Sequence, residues 1–185
     1  SLDNIYFYSD GGGNPTEPSV AAPTPTQDAA DVISIYSDTY TSLAGTDFNP
    51  NWGQATAQSE VDIAGNNTML YSGFNYQGIA LAGSQDISGM DFLHIDYWTA
   101  NSSALNAFLV SWGGVETPKP LAVPPSGRTS VDIPLGDFSP VDLTDLIQMK
   151  FDGNGDISLD NIYFYSDGGG NPTEHSVDAP TPTQD

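Results

Sequence analysis

The sequence has no cysteine and very few basic residues. Because there are 0 cysteines among 185 residues, disulfide frameworks, thiolate zinc sites and thiol catalysis are excluded. Asp and Glu number 24 against 3 Lys and Arg, which gives a formal net charge of −21. Since phosphate backbones are held by Lys and Arg, this charge argues against a nucleic-acid partner. It argues equally against docking on anionic membranes.

Long apolar runs are also missing. No stretch approaches the roughly 20 apolar residues of a membrane-spanning helix, and no signal peptide is recognisable in these residues. We therefore predict no membrane insertion. An acidic, cysteine-free chain in which 11% of the residues are aromatic is typical of proteins outside the cell, so we predict an extracellular or cell-surface location.

The two ends of the chain repeat each other. Residues 1–28 and 158–185 match at 26 of 28 positions, with a period of 157 residues. The differences are Pro18 against His175 and Ala21 against Asp178. We therefore expect this chain, which opens in the middle of a strand pattern, to be a piece of a longer protein that carries the unit in tandem.

The repeat divides the chain into four segments. We assign residues 1–8 to the last strand of a preceding repeat and residues 9–30 to a Gly/Pro/Thr linker. Residues 31–165 are the complete unit, and residues 166–185 are the linker to the next repeat. Because residues 1–8 copy 158–165, this spare strand suits the same slot in a sheet. We expect it to be disordered or exchanged with a neighbouring repeat.

Within residues 31–165 the hydrophobic pattern has a period of two. Short runs of β-branched and aromatic residues are separated by Gly, Pro, Asn or Asp, as in β-strands. The predicted strands are 32–36, 60–64, 68–71, 78–82, 92–98, 105–112, 121–123, 130–135, 147–151 and 157–165. Residues 141–147 are the one helix-like stretch. The pattern predicts an all-β fold, a jelly-roll β-sandwich of about ten short antiparallel strands with an extra flanking strand and Gly/Pro linkers.

Alternation along three strands predicts a polar face around an aromatic platform. Leu93, Ile95 and Tyr97 are expected in the core, as are the matching residues of strands 105–112 and 147–151. The residues left pointing outward are His94, Asp96, Trp98, Asn106, Gln148, Lys150 and Asp152. A Trp ring covers the apolar face of a sugar while amides and carboxylates bind its hydroxyls, so this pattern favours carbohydrate binding. The alternative is an ordinary solvated face.

Aromatic residues near glycines form a second candidate surface. Trp52 and Trp112 precede glycines, while Tyr71, Phe74 and Tyr76 surround Gly73. Such residues either line a site at the rim of a sandwich or plug its core. We take Trp98 and Trp52 as the preferred pair for a ligand.

Signatures of catalysis are missing. Of the 2 histidines, His175 is replaced by Pro18 in the other copy of the repeat. No Gly-x-Ser-x-Gly elbow, zinc motif or phosphate loop occurs. His94 and Asp96 suit a dyad, but neighbours on one strand face are more simply hydrogen-bonded to each other or to a ligand. We predict that the chain is not an enzyme.

Four segments carry a family resemblance: 31–38 (DVISIYSD), 48–52 (FNPNW), 92–98 (FLHIDYW) and 159–164 (LDNIYF). Together they resemble a repeat module of secreted proteins from marine Bacteroidota. The last segment also resembles the final strand of galactose-binding-like carbohydrate-binding modules. The resemblance covers nearly all of residues 22–165, and it implies a jelly roll, a bacterial source and non-catalytic attachment to glycans.

The same resemblance implies a structural calcium. In those modules an Asp of the last strand helps to hold the ion, and the matching residue here is Asp160, with Asp38 as the suggested partner. Carboxylate oxygens are the ligands that calcium prefers. The acidic stretch 152–156 (DGNGD) lacks the Glu of an EF-hand, because Tyr163 stands there. Its Asn154-Gly155 instead predicts a two-residue hairpin turn.

Two non-enzymatic functions follow from these observations. The first is an extracellular carbohydrate-binding module, one unit of a tandem array that attaches a secreted or cell-surface protein to polysaccharide. The negative charge favours a neutral glycan, and neighbouring repeats are expected as further partners. The alternative is a structural spacer repeat of a long bacterial adhesin or filament, assembled by strand exchange and kept soluble by its charge. We favour the first.

Overall fold

The described chain, which in this computed structural model comprises residues 18–125 and 127–168, contains ten β-strands. The strands are β1 Val32–Tyr36, β2 Ala57–Ile63, β3 Asn66–Ser72, β4 Tyr76–Gln85, β5 Phe92–Thr99, β6 Leu105–Ser111, β7 Val115–Pro120, β8 Gly127–Pro134, β9 Leu146–Gly153 and β10 Ile157–Tyr165. Two short 3-10 helices span Ala29–Asp31 and Leu135–Phe138. The predicted spare strand 1–8 and most of the predicted linker 166–185 lie outside the described residues.

The strands form two antiparallel sheets. In sheet A the order is β2-β3-β10-β5-β8, and β1 also pairs with β10. In sheet B the order is β4-β9-β6-β7. The expectation of about ten short antiparallel strands is confirmed. No helix in the described residues has the length and apolar character needed to cross a membrane.

The core lies between the two sheets. In β5, Leu93, Ile95 and Tyr97 are buried in it, as the alternation of the sequence predicts. β6 contributes Leu105, Ala107 and Leu109 in the same way. All residues of β10 are buried, because β10 runs through the middle of sheet A and is covered on both sides.

The position of one strand was predicted wrongly. Residues 115–120 form β7, for which no strand was predicted, and residues 121–123 have no regular structure. β7 contains Pro118 and Pro120, which interrupt the usual strand pattern. Prolines are tolerated where a strand pairs on one side only, and β7 is an edge strand of sheet B.

The predicted helix and hairpin were also wrong. Residues 141–145 form bends and a turn before β9 begins. Asp142 accepts hydrogen bonds there from the backbone N–H and hydroxyl of Thr144, a local arrangement that competes with helix formation. Asn154-Gly155 joins β9 of sheet B to β10 of sheet A, so it links two sheets rather than two paired strands.

Residues 18–28 lie over the outer face of sheet A, and we call them the N-terminal strap. Three of its backbone carbonyls accept hydrogen bonds from side chains of the sandwich. Arg128 Nη2 donates to the carbonyl of Val20 over 2.9 Å. Asn161 Nδ2 donates to Pro23 over 2.9 Å, and Tyr40 Oη donates to Gln27 over 2.8 Å. This half of the predicted linker 9–30 is therefore in contact with the sandwich.

Candidate functional site

The three strands that were predicted to share a polar face belong to different sheets. β5 lies in sheet A, whereas β6 and β9 lie in sheet B. Their outward residues therefore lie on opposite sides of the sandwich, with His94, Asp96 and Trp98 on one side and Asn106, Gln148, Lys150 and Asp152 on the other. The prediction of one shared face was wrong. Alternation shows that a residue points away from the core, but it does not show to which of the two sheets its strand belongs.

The outer face of sheet B brings five of the predicted residues together. Neighbouring strands place Tyr76, Asp152 and Asn106 side by side in one row. The next row is Gly78, Lys150 and Phe108, and the third is Ala80, Gln148 and Val110. The fifth predicted residue, Trp52, reaches this face from the loop between β1 and β2.

Trp52 rests on Gly78. A Cβ atom at Gly78 would lie 1.9 Å from Cζ3 of the indole, so glycine is required for this close approach. Tyr76 Oη donates to the backbone carbonyl of Trp52 over 2.8 Å, and the backbone N–H of Trp52 donates to Oε1 of Gln54 over 2.8 Å. The indole is partly exposed and held in place, as a sugar-binding platform requires.

Lys150 lies at the centre of the face and is fully paired. Its Nζ is 2.8 Å from each carboxylate oxygen of Glu116 and 4.0 Å from the centre of the Phe108 ring. This arrangement neutralises the lysine charge and covers most of the phenyl ring. The face therefore presents an ordered polar and aromatic surface rather than a free cation.

A cleft of about 590 Å³ opens beside this row. It is lined by Asn75, Tyr76, Ala104, Asn106, Lys150, Asp152 and Gly153. Asn106 Nδ2 donates to Asp152 Oδ1 over 2.7 Å, which orders both side chains. The volume is within the range of ligand-binding pockets in proteins.

Sequence reasoning missed part of this site. Asn75 and Glu116 were not singled out, because no pattern marks them as neighbours of Lys150 and Asp152. The one available signal was Gly78, since a glycine within a strand indicates that something approaches the backbone closely. Among the loop aromatics, Tyr71 and Phe74 are in the core, whereas Trp112 is 74% exposed at the turn between β6 and β7.

On the outer face of sheet A, His94 and Asp96 face the strap, and Trp98 lies on the same side of the sheet. Asp96 is 1% exposed and Trp98 is 8% exposed. His94 Nδ1 is 2.7 Å from Asp132 Oδ1, and its Nε2 is 3.7 Å from Asp96 Oδ2. The imidazole stacks on Tyr163 with the ring centres 4.7 Å apart. A cavity of about 240 Å³ separates these groups from residues 23–27.

Asn161 ties this network to the strap. It lies at an irregularity of β10 with φ of 45°, a conformation that Asn adopts more readily than most residues. Its Nδ2 donates to Asp96 Oδ2 over 2.7 Å as well as to Pro23, and its Oδ1 accepts from Ser37 over 2.9 Å. Ser130 also donates to Asp96. Asn161, Asp96, Ser130 and Ser37 thus bind each other, and Asn161 also binds the strap.

The titration of this network follows from its burial and its hydrogen bonds. Burial raises the pKa of Asp96, but the nearby His94 and hydrogen bonds from Ser130 and Asn161 outweigh that effect and hold the pKa below its usual value. Burial lowers the pKa of His94, yet Asp96 and Asp132 raise it further than burial lowers it. His94 and Asp96 therefore favour the charged pair.

Asp160 and Asp38, the predicted calcium ligands, are both engaged by amides. Asp160 is fully buried, and its two oxygens accept hydrogen bonds from the Asn66 side chain and the Asn161 backbone. Both oxygens of Asp38 accept from Asn67. Burial raises the pKa of Asp160, which favours its neutral form. Within residues 18–125 and 127–168, no group of three acidic, His or Cys side chains is arranged to hold a metal.

Asp160 and Asp38 therefore do not fit a calcium site in this arrangement. A Ca²⁺ ion takes six to eight oxygen ligands, and amide N–H donors occupy the oxygens of both carboxylates. Calcium stays a prediction from the resemblance, and no step of the proposed function depends on it.

Comparison with known proteins identifies the fold. No protein-family model and no curated protein matches this sequence. A family 11 carbohydrate-binding module from Clostridium thermocellum, in complex with a β-1,3-1,4-mixed-linked tetrasaccharide, is 17% identical with a TM-score of 0.52, covering 74% of this chain and 96% of that one. Two variants of a family 29 carbohydrate-binding module are each 16% identical to this chain, and each comparison covers 72% of this chain and 89% of the other. The TM-score is 0.52 for the first variant and 0.51 for the second, which is complexed with mannohexaose.

These likenesses show the fold. The chain is an all-β jelly-roll β-sandwich, as the sequence predicted. Its structural neighbours are carbohydrate-binding modules, in agreement with the resemblance to galactose-binding-like modules.

Proposed function

We propose that this chain is a non-catalytic carbohydrate-binding module that binds a neutral polysaccharide on the outer face of sheet B. The observation that carries the proposal is the indole of Trp52, held over Gly78 on the face where the cleft lined by Tyr76 and Asp152 opens. An aromatic ring next to ordered amide and carboxylate groups is the combination that recognises a sugar ring and its hydroxyls.

The charges of the chain favour a neutral glycan. Lys150, the one basic residue on this face, is paired with Glu116, so it offers no free cation to a sulfate or carboxylate group. The net charge of −21 repels anionic polymers as a whole. The oligosaccharides bound to the structural neighbours, a mixed-linked tetrasaccharide and a mannohexaose, carry no charged groups and are the first ligands to test.

The biological role that follows is attachment outside the cell. Modules that bind sugars weakly gain avidity when several units are joined in one chain, and the repeat of residues 1–28 at 158–185 supports such an array. The array would hold a secreted or cell-surface bacterial protein on polysaccharide.

A glycan array with the 185-residue chain, run in calcium and in chelator, tests the proposal. We expect binding to neutral polysaccharides, and weaker binding or none to sulfated and uronic ones. A blank array from a chain that unfolds cooperatively would contradict the proposal and favour the structural spacer. Binding to anionic glycans alone would contradict the neutral specificity. Loss of binding in chelator would support the calcium prediction, with the ion acting at the site directly or through the fold.

A further inference from the structure

The sequence of the strap occurs a second time, in residues 175–185. The two segments, PSVAAPTPTQD and HSVDAPTPTQD, are identical at 9 of 11 positions. We propose that residues 175–185 dock on the outer face of sheet A of a following copy of the unit, in the place that the strap takes here. Each linker is then a structural part of the repeat that comes after it.

Every backbone anchor of the strap is kept in the second segment. The three carbonyls that accept hydrogen bonds from the sandwich belong to Val20, Pro23 and Gln27. Their counterparts are Val177, Pro180 and Gln184. Because main-chain groups make these contacts, they depend on the extended Pro-Thr-Pro-Thr backbone, which both segments share.

The receiving surface is repeated as well. Asn161 and Tyr163 of β10 lie next to the strap, and their counterparts in residues 1–8 are Asn4 and Tyr6. A neighbouring unit whose last strand has this sequence therefore carries the same amide donor and the same aromatic ring for a docked segment.

One of the two sequence differences lies beside a buried charge. Arg128 donates through Nη2 to Val20, whereas its Nη1 is buried without a hydrogen-bond partner in the described part of the chain. Ala21 follows Val20, and its counterpart is Asp178. In the proposed arrangement the carboxylate of Asp178, one residue from the anchored carbonyl, is the acceptor for Nη1 that the strap lacks.

The length of the connection favours the next unit over the same one. Residues 166–174 separate β10 from the second segment and span at most about 30 Å. Asp31, three residues after the strap, lies beside the end of β10, since the N–H of Ser166 donates to its carbonyl over 3.0 Å. To reach its own face, the second segment would need this full extension to run back along the strap, which as a polyproline-type helix is itself about 30 Å long. It would also have to displace the strap, which already covers that face.

A synthetic HSVDAPTPTQD peptide tests the docking. The receptor is the 185-residue chain with residues 18–27 and 175–184 replaced by Gly and Ser. None of the core residues belongs to the strap, so we expect this receptor to keep cooperative unfolding. In NMR titrations into the millimolar range, we expect saturable shifts at Arg128, Asn161 and Tyr163, and none in the native chain, whose face is already covered. Equal shifts with a scrambled peptide, or none, would overturn the proposal.

The role of Asp178 has its own test in the same titration. A peptide with Ala in place of this Asp should bind about fivefold more weakly, the effect of a partly buried ion pair. In an Arg128→Gln receptor the two peptides should bind alike. A fivefold difference that persists without Arg128 would contradict the assigned pair.

A second measurement leaves the strap intact. The native chain is extended by one further period, residues 29–185, and its dimensions are measured by small-angle scattering. The matched control has residues 175–184 replaced by Gly and Ser. Docking leaves only residues 166–174 free between the units, so the native chain should have the smaller radius of gyration and the narrower distance distribution. Equal dimensions would overturn the proposal.

Discussion

The outer faces of the two sheets have similar residues and different surroundings. On sheet A, His94 and Asp96 lie beneath the N-terminal strap, Trp98 is buried on the same face, and the His94 and Asp96 side chains bind neighbouring polar groups. On sheet B, Trp52 and Lys150 border an open cleft. Polar and aromatic residues that alternate with core residues therefore indicate an outward face, but the segment that covers the face decides whether it is available to a ligand.

The first prediction separates stability from binding, and its expected effect on stability is the largest. Asn161→Ala removes hydrogen bonds to Asp96, Pro23 and Ser37 within the buried network of sheet A. We expect a loss of about 2–4 kcal/mol in the free energy of unfolding, because a buried carboxylate loses a donor. Urea unfolding measures it. At a temperature where the variant is folded, glycan affinity should not change.

The matched control for Asn161→Ala lies on the other face. Asn106→Ala removes one hydrogen bond, to Asp152, at the open cleft. We expect a cost in stability of under about 1 kcal/mol and a clear loss of glycan affinity. The reverse result, in which Asn106 matters for stability and Asn161 for binding, would contradict the division between the faces.

An intermediate effect is expected for Gly78→Ala. The new Cβ would overlap the indole of Trp52, so the ring must move off the face. Overpacking of this kind costs about 1–3 kcal/mol. We also expect glycan binding to be lost, since the platform is displaced. Gly83→Ala in the same strand meets nothing within 4 Å and is the control for both readouts.

The smallest effect is a pH dependence that belongs to sheet A. The pKa of His94 is raised above its ordinary value of 6.5, because Asp96 and Asp132 outweigh the opposing effect of burial. A histidine with a raised pKa stabilises the fold fully below its unfolded pKa, and this contribution is lost as the pH rises through the folded pKa. His94→Gln should therefore destabilise the chain more at about pH 5.5 than at about pH 9.

NMR of the imidazole checks this prediction directly. A His175→Ala variant leaves His94 as the one histidine signal, since the chain has 2 histidines. Its titration midpoint should lie above 6.5. A midpoint below that value would mean that burial dominates over the two carboxylates.

Local sequence patterns predicted the elements of the fold better than the site. Alternation placed Leu93, Ile95 and Tyr97 in the core correctly, because the period of a strand is a local property. The assignment of β5, β6 and β9 to one face failed, because strand order depends on contacts between distant parts of the chain. Trp52 stays a predicted ligand residue and lies on the outer face of sheet B, whereas its expected partner Trp98 lies on the opposite sheet.

The sequence did not predict that the strap covers the outer face of sheet A, for a related reason. The strap is rich in Pro and Thr and has no apolar periodicity, so its composition predicts a linker. Its contacts use backbone carbonyls of Val20, Pro23 and Gln27, which leave little trace in the sequence. The repeat at residues 175–185 is the one sequence feature that marks the segment as more than a spacer.

The central claim is that sugar binds to sheet B and not to sheet A. Calorimetric titration of Trp52→Ala and Trp98→Ala with a glycan identified on the array tests it most directly, with cooperative unfolding of each variant as the check on folding. Trp52→Ala should lower the affinity about tenfold or more, the cost of losing one stacked ring, while Trp98→Ala should leave it unchanged. Full affinity in Trp52→Ala together with its loss in Trp98→Ala would contradict the account.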